Sequence, residues 1–442
     1  MIASLVGVAF ALGQAGIPQT LPPSSGGTTQ RSSISKAFPR PTGHNGYEEY
    51  VQAAEILSSA GIRDLLTWAP GRPRPAKDPD DPDDPGPSKE QLAIYDRLNA
   101  LTPLEIRRES MLKCGRALDL ISRGNSKPVF DPRGDFGPDT LFPEYPAFRN
   151  VSRLALQASA VYAADGRTDL ATKALLDQIW FADNFGRSVI ISSLIATACS
   201  SIAIVGFQDI LPRLSQSDAV TIEKSIDALM AKPLAVRSVL RGELSFSVKG
   251  LDLLASEKGD LSGFFGFGDD DNDDDKEAVA QGKAMAKEFA SLSPAARQKL
   301  IAGIKARQLA RMNEMDRIFL KPEKDWIPEF ESLGERDDAQ PTTLSDVIAS
   351  MLTPVYSQYV LAAERQRTQL RLLKLYAQAI QYRWEYSAWP GKLDAIDPMN
   401  GLLYIYEVKE DGTIRIASKG TKETGEIDLK YKRPATQEEV KP

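Results

Sequence analysis

The sequence predicts a mainly α protein, a multi-helix bundle-like domain followed by a long helix and a small antiparallel β module. Three features predict it. Helix start signals recur, among them Ser88 with Gln91 and Thr102-Pro103 with Glu105, where a hydroxyl and a longer polar side chain each satisfy the other's backbone N–H. Apolar residues then repeat at helical spacing through the segments that follow. Past Tyr386 the texture changes to short β-rich runs, Leu402 to Val408 and Thr413 to Ala417, divided by the hairpin signal Asp411-Gly412.

At the N-terminus, Ile2 to Leu12 is small and apolar, and Gly13-Gln14-Ala15 offers small residues at the −3 and −1 positions of a cleavage after Ala15. We expect a signal peptide over residues 1–15, although its only leading charge is the α-amino group. Gly16 to Gly46, rich in Pro, Ser, Thr and Gly, reads as a tether. The helical domain is expected over 47–340, opening with an apolar stripe from Tyr47 to Leu66. Residues 69–87 alternate proline with acids, can form neither helix nor sheet, and read as a solvated excursion. Asn125 to Pro146, full of Pro, Gly and Asp, reads as a loop or extended segment; its Arg133-Gly134-Asp135 is a tripeptide too short to signify adhesion. Helical patterns follow at Phe148 to Ala164, Thr168 to Phe185, Val189 to Phe207, Ser217 to Ala231 and Leu234 to Ala255, and the short connections imply antiparallel neighbours. Ser188 to Gln208 carries no charge and is long enough to span a bilayer, but its serines and its amphipathic flanks favour a buried core helix, so no span is expected after signal cleavage.

Residues 262–277 run from Gly and Phe into an acidic block. No frame from Asp269, Asp271 or Asp273 gives the Gly and Glu that a calcium loop needs, so a surface loop is expected. Helices return from Ala278 to Leu320 and from Thr343 to Tyr386, with Pro354 as a kink or break. The last unit, 341–433, comprises that long helix and the β module, with Ile427 to Tyr431 as a third strand and 434–442 as a disordered tail. On the helix, Leu372, Leu373, Tyr376, Ala379, Ile380 and Arg383 share a face. On the sheet, Leu402, Tyr404 and Tyr406 share one side and Leu403 and Ile405 the other, while Trp389 is placed to close the core. Thr424 and Glu423 read as surface positions.

Composition prunes the chemistry. A net charge of −6 without a Lys/Arg cluster argues against nucleic acid. One histidine, His44, and two cysteines leave no material for Ser-His-Asp or Cys-His catalysis or for ordinary zinc sites, and no phosphate loop or dinucleotide fingerprint is present, so neither cofactor nor metal is expected. Cys114 and Cys199 would stabilise by about 4 kcal/mol as a disulfide on the chain-entropy account, or pack as free buried thiols. Carboxylate chemistry survives, and the acid singled out is Glu243 in Arg241-Gly242-Glu243-Leu244, on an apolar helix; its plainer reading is a surface or ion-paired residue.

Residues of roughly 370 to 431 resemble the soluble C-terminal part of the major pseudopilins of type II secretion: a helix, Trp389-Pro390, Leu393-Asp394, Asp397-Pro398-Met399-Asn400-Gly401, Tyr404, Tyr406, Asp411-Gly412 and Ser418-Lys419-Gly420. In that family the Asp-Pro-x-x-Gly segment leads into the sheet and a later acidic loop binds calcium. Here Thr421, Lys422, Glu423 and Thr424 replace those acids, so the resemblance carries no metal. The chain also departs from the family in placing some 370 residues, rather than a hydrophobic assembly helix alone, ahead of the module, which argues against polymerisation as a pilin. With Phe142-Pro143 and Leu211-Pro212 it is similar in layout to a group of uncharacterised exported bacterial proteins. These features point to an exported non-catalytic protein of the periplasm or cell envelope that binds a protein or envelope component; the alternative is a secreted carboxylate-based hydrolase.

Overall fold

A computed structural model describes residues 34–58, 62–68, 74, 76, 86–134, 136–137, 140–256, 284, 286–337, 343–345, 348 and 356–431. The expected signal peptide, most of the tether and of both excursions, Pro354 and the C-terminal tail lie outside these residues. The fold is mainly α with a small three-stranded antiparallel sheet at its C-terminal end.

The first helices form as their caps dictate. Helix α1 spans Gly46–Ser58, α2 Ile62–Thr67, α3 Lys89–Asn99 and α4 Pro103–Asn125. Ser88 and Gln91 exchange bonds at 2.7 and 3.1 Å, and Thr102 and Glu105 at 2.7 and 3.3 Å. Helices α5 (Tyr145–Ala164) and α6 (Thr168–Phe185) pack on them and on each other. Tyr47, Tyr50, Phe148, Phe181 and Phe185 form the centre of this core, with Phe148 and Phe181 edge to face at 5.0 Å. Helices α1 and α4 cross where both carry glycine: a Cβ on Gly46 would lie 2.1 Å from the Gly124 carbonyl oxygen. One expectation is corrected here. The end of the expected tether, 34–46, is not free chain: Ile34 and Asn45 are buried, Phe38 packs on the core, and Asn45 exchanges bonds with Phe130 at 2.7 and 3.2 Å.

Helix α7 (Ile190–Ile210) is apolar and long enough to cross a membrane by length and composition, with 56% of its most apolar window buried. It packs on α5 and α6, and on α12 (Tyr356–Tyr386), the long helix. Between them in sequence lie α8 (Gln216–Met230), α9 (Ala235–Ala255), α10 (Pro294–Ile318) and α11 (Trp326–Asp337). Helix α12 is covered on both flanks. Leu372, Leu373, Tyr376 and Ile380 belong to one core with α6, α7, α8 and the sheet, as their spacing predicts, whereas Arg383 is exposed at its end.

Strands β1 (Ile405–Val408), β2 (Ile414–Ser418) and β3 (Ile427–Asp428) lie in sequence order, with Ile405 opposite Ala417 and Ala417 opposite Asp428. The predicted hairpin closes with Gly412 at φ 76°, its N–H donating to the Lys409 carbonyl at 3.0 Å. Tyr376 ties helix to sheet: its hydroxyl donates to the Leu429 carbonyl and accepts from the Ile416 N–H, both at 2.9 Å. Two expectations, for Leu402 and Thr424, need correction. Leu402 does not join Tyr404 in the core but is 47% exposed, because the chain there is still closing the Asp397 turn, where the Asp397 N–H donates to the Leu402 carbonyl at 2.7 Å. Trp389 does close the rim of the core, as expected, half-buried and with its indole N–H donating to the Gly412 carbonyl at 2.8 Å. Thr424 is buried, its hydroxyl accepting from the Thr421 N–H at 2.8 Å and donating to the Gly425 carbonyl at 2.9 Å.

Candidate functional site

The structure places Glu243 in a structural role. Helix α9 crosses the start of α7 so closely that a Cβ on Gly242 would lie 1.8 Å from the Ser188 carbonyl oxygen. This brings the neighbouring Glu243 carboxylate to the Ile190 N–H at 3.1 Å, where it caps an apolar helix whose N-terminal Val189 has no side-chain acceptor. Burial raises its pKa. Neither a surface acid nor one of two facing carboxylates, it lies where the helix dipole favours a negative group.

Two carboxyls do meet elsewhere. Glu364, on α12, is 1% exposed and faces Glu323, which lies just before α11. Arg371 grips Glu323 through both nitrogens at 2.5 and 2.8 Å, and Arg367 reaches it at 3.4 Å. Neither Glu364 oxygen receives a hydrogen bond from a donor among the described residues. The Arg367 Nε lies 3.5 Å from one Glu364 oxygen. Burial, then the neighbouring Glu323, raises the Glu364 pKa well above the usual carboxyl range. Burial would raise Glu323 as well, but the Glu364 hydrogen bond and Arg371 offset it and leave Glu323 lowered. The pair lies near the turn where Asp397 accepts from the Tyr404 hydroxyl at 3.2 Å and Thr368 donates to the Met399 sulfur at 3.4 Å.

A third cluster pins the 126–144 loop to α1. Arg133 donates to Glu144 at 2.6 Å and to Asp131 at 2.5 Å, while the Tyr47 hydroxyl donates to Glu144 at 2.8 Å. The guanidinium lies 4.6 Å from the ring centres of both Phe38 and Phe142. With its side chain 10% exposed, Arg133 of the Arg-Gly-Asp tripeptide is turned inward, while Asp135 is outside the described residues. Cys114 and Cys199 are free and buried; burial raises Cys199 to about 11, and its thiol donates to the Phe148 carbonyl at 3.6 Å. His44 is exposed on the turn before α1.

A cleft of about 290 Å³ lies between the 34–41 segment, α1 and α4, beside Pro132. A second, of about 90 Å³, lies where α6, α7, α9 and α12 converge and contains Asp183, Arg187, Lys232 and Arg367, with Asp183 paired to Arg187 at 2.8 Å and Lys232 at 2.6 Å. Neither Glu323, Glu364 nor Glu243 lines either cleft. Sequence reasoning missed the Glu323–Glu364 pair and the Arg133 cluster; the arginine bracketed by Phe130, Phe136 and Phe142 was the one local signal. The fold and these sites define a helical protein with a cleft and internally paired acids. Comparison with protein-family models, with curated proteins and with solved structures finds no match.

Proposed function

We propose that this chain is an exported protein of the periplasm or cell envelope that works by binding, with the helical bundle as the binding body and the C-terminal module as a packing or docking element resembling the soluble part of major pseudopilins. Export rests on the apolar run Ile2 to Leu12 and the small residues ending at Ala15. The observation that favours binding over hydrolysis is the disposition of the acids. The buried acids Glu323, Glu144 and Glu243 are held by guanidiniums or a backbone N–H and line neither described cleft, while the two acids of the cleft beside α1, Glu48 and Glu55, are bonded to the 34–43 segment. General acid and base catalysis needs a carboxyl pair that a substrate can reach. The test sets the full chain against the double variant Glu323→Gln/Glu364→Gln on ester, amide and glycoside reporters. Equal, background rates are expected, and turnover by the wild type that the folded variant loses would establish the hydrolase instead.

A further inference from the structure

We propose that the cleft between the 34–41 segment, α1 and α4 binds a small amphiphilic carboxylate, its apolar body lying among Phe38, Pro39, Val51, Ile56, Leu120 and Pro132 and its carboxylate on Arg116. The proposal rests on the reading of the chain as a binding protein and names the ligand class. At about 290 Å³ the cleft is near the lower end of small-molecule sites and suits a body of about ten non-hydrogen atoms.

Its charges decide the ligand's polarity. Three ionisable groups line it: Glu48, Glu55 and Arg116. Glu48 is already engaged, accepting from the Thr42 N–H at 2.7 Å, the Thr42 hydroxyl at 2.8 Å and the Gly43 N–H at 2.7 Å. Glu55 accepts from the Ser35 N–H at 2.5 Å and so closes the far wall. Those bonds hold the 34–43 segment in place, and without that segment the cleft would lack a side. Arg116, exposed on α4 one turn from the buried Leu120, has no hydrogen bond or ion pair among the described residues. Glu48 and Glu55 keep their negative charges but direct them at donors of the 34–43 segment, which leaves Arg116 as the charged group of the lining without a partner among the described residues, a planar guanidinium suited to bidentate carboxylate binding at the edge of an apolar floor. A net charge of −6 means that the molecule as a whole does not attract anions, so any preference for one must be local.

The test titrates the full chain with octanoate, octanol and octyltrimethylammonium, followed by calorimetry and by displacement of an anionic naphthalene fluorophore. Octanoate is expected to saturate one site and to bind at least about tenfold more tightly than the other two. Arg116→Gln should weaken octanoate about tenfold, the scale of one charge-assisted pair, and leave octanol unchanged. Gln52→Trp, at the exposed rim, should block all binding while circular dichroism stays native. Equal affinity for octanol, or an Arg116→Gln variant that binds octanoate like the wild type, would overturn the carboxylate assignment. Absence of saturable binding by all three probes would overturn the site itself, and the reporter assay above would still decide separately between binder and hydrolase.

Discussion

Glu364→Gln removes a buried acid while keeping its size, and the expected consequence is a change in how stability depends on pH. In the folded chain the Glu364 pKa is raised, by burial first and by Glu323 second. Unfolded, it returns to about 4.3. A raised carboxyl contributes stability that is complete below the unfolded pKa and is lost as pH rises through the folded one. Between those two values each pH unit costs the wild type about 1.4 kcal/mol relative to a side chain that does not titrate. Glutamine keeps a donor for the Glu323 oxygen, and Glu323, with its pKa lowered, retains its grip on Arg371 over the same range. The groups facing the pair, Arg367 and Arg371 on α12 and Tyr404 beyond the turn, are untouched. Urea unfolding from pH 4 to 9, read as the difference between the two midpoints, is the assay. The variant should match or fall slightly below the wild type at pH 4 and gain on it as pH rises above the unfolded value. Parallel curves, or a variant destabilised equally at every pH, would refute the raised Glu364 pKa.

Arg133→Met leaves Glu144 and Asp131 without their cation in a buried cluster, and should destabilise by about 3 to 5 kcal/mol in thermal or urea unfolding. Trp389→Ala should cost less than a core tryptophan, about 1 to 2 kcal/mol, since it is half-buried and loses one bond to Gly412 together with its contact with Tyr431. Thr424→Ala should cost about 1 to 2 kcal/mol by leaving the Thr421 N–H unpaired, whereas Glu423→Ala, on an exposed side chain, should stay within about 0.5 kcal/mol. Cys114 and Cys199 should resist iodoacetamide at pH 8 in the native chain and react at the unfolding midpoint; burial raises both thiol pKa values.

Much of the fold was legible because its signals are local. Ser88 with Gln91 and Thr102 with Glu105 each complete a bond pattern within one helical turn, and Asp411-Gly412 closes within the hairpin it opens. Legibility failed where a long-range contact decided the outcome. Residues 34–46 read as tether on composition, yet Asn45 finds Phe130 across 85 positions and a glycine crossing lets α1 and α4 approach. Helix α11 went unpredicted, and its Pro328 stands in the first turn, where the missing N–H costs nothing. The ionisable clusters were less legible still. Among 60 acids nothing marks Glu364 until α12 turns it toward Glu323, and nothing marks Glu243 as a cap until Gly242 lets α9 reach α7.

The position of α12 bears on the pseudopilin resemblance. What the resemblance would require of α12 is a face free for other subunits. Here that face is engaged within the chain: Gln378 and Gln381 both donate to Glu223 of α8 at 2.7 Å, Lys374 pairs with Asp227 at 2.5 Å, and the Trp384 indole donates to the Leu214 carbonyl at 3.1 Å. Leu370, Leu373 and Ala377 share the core with Ile222, Ile226 and Leu229. Exposing that face for assembly would uncover apolar surface at about 25 cal/mol per Å² and leave Glu223 without its two amide partners. Helix α12 is an internal strut, and the sheet is fixed to it through Tyr376. What the module leaves to solvent is its outer rim, where Ile396, Leu403 and Val408 are each more than half exposed. A docking role would therefore have to fall to that rim and not to the helix.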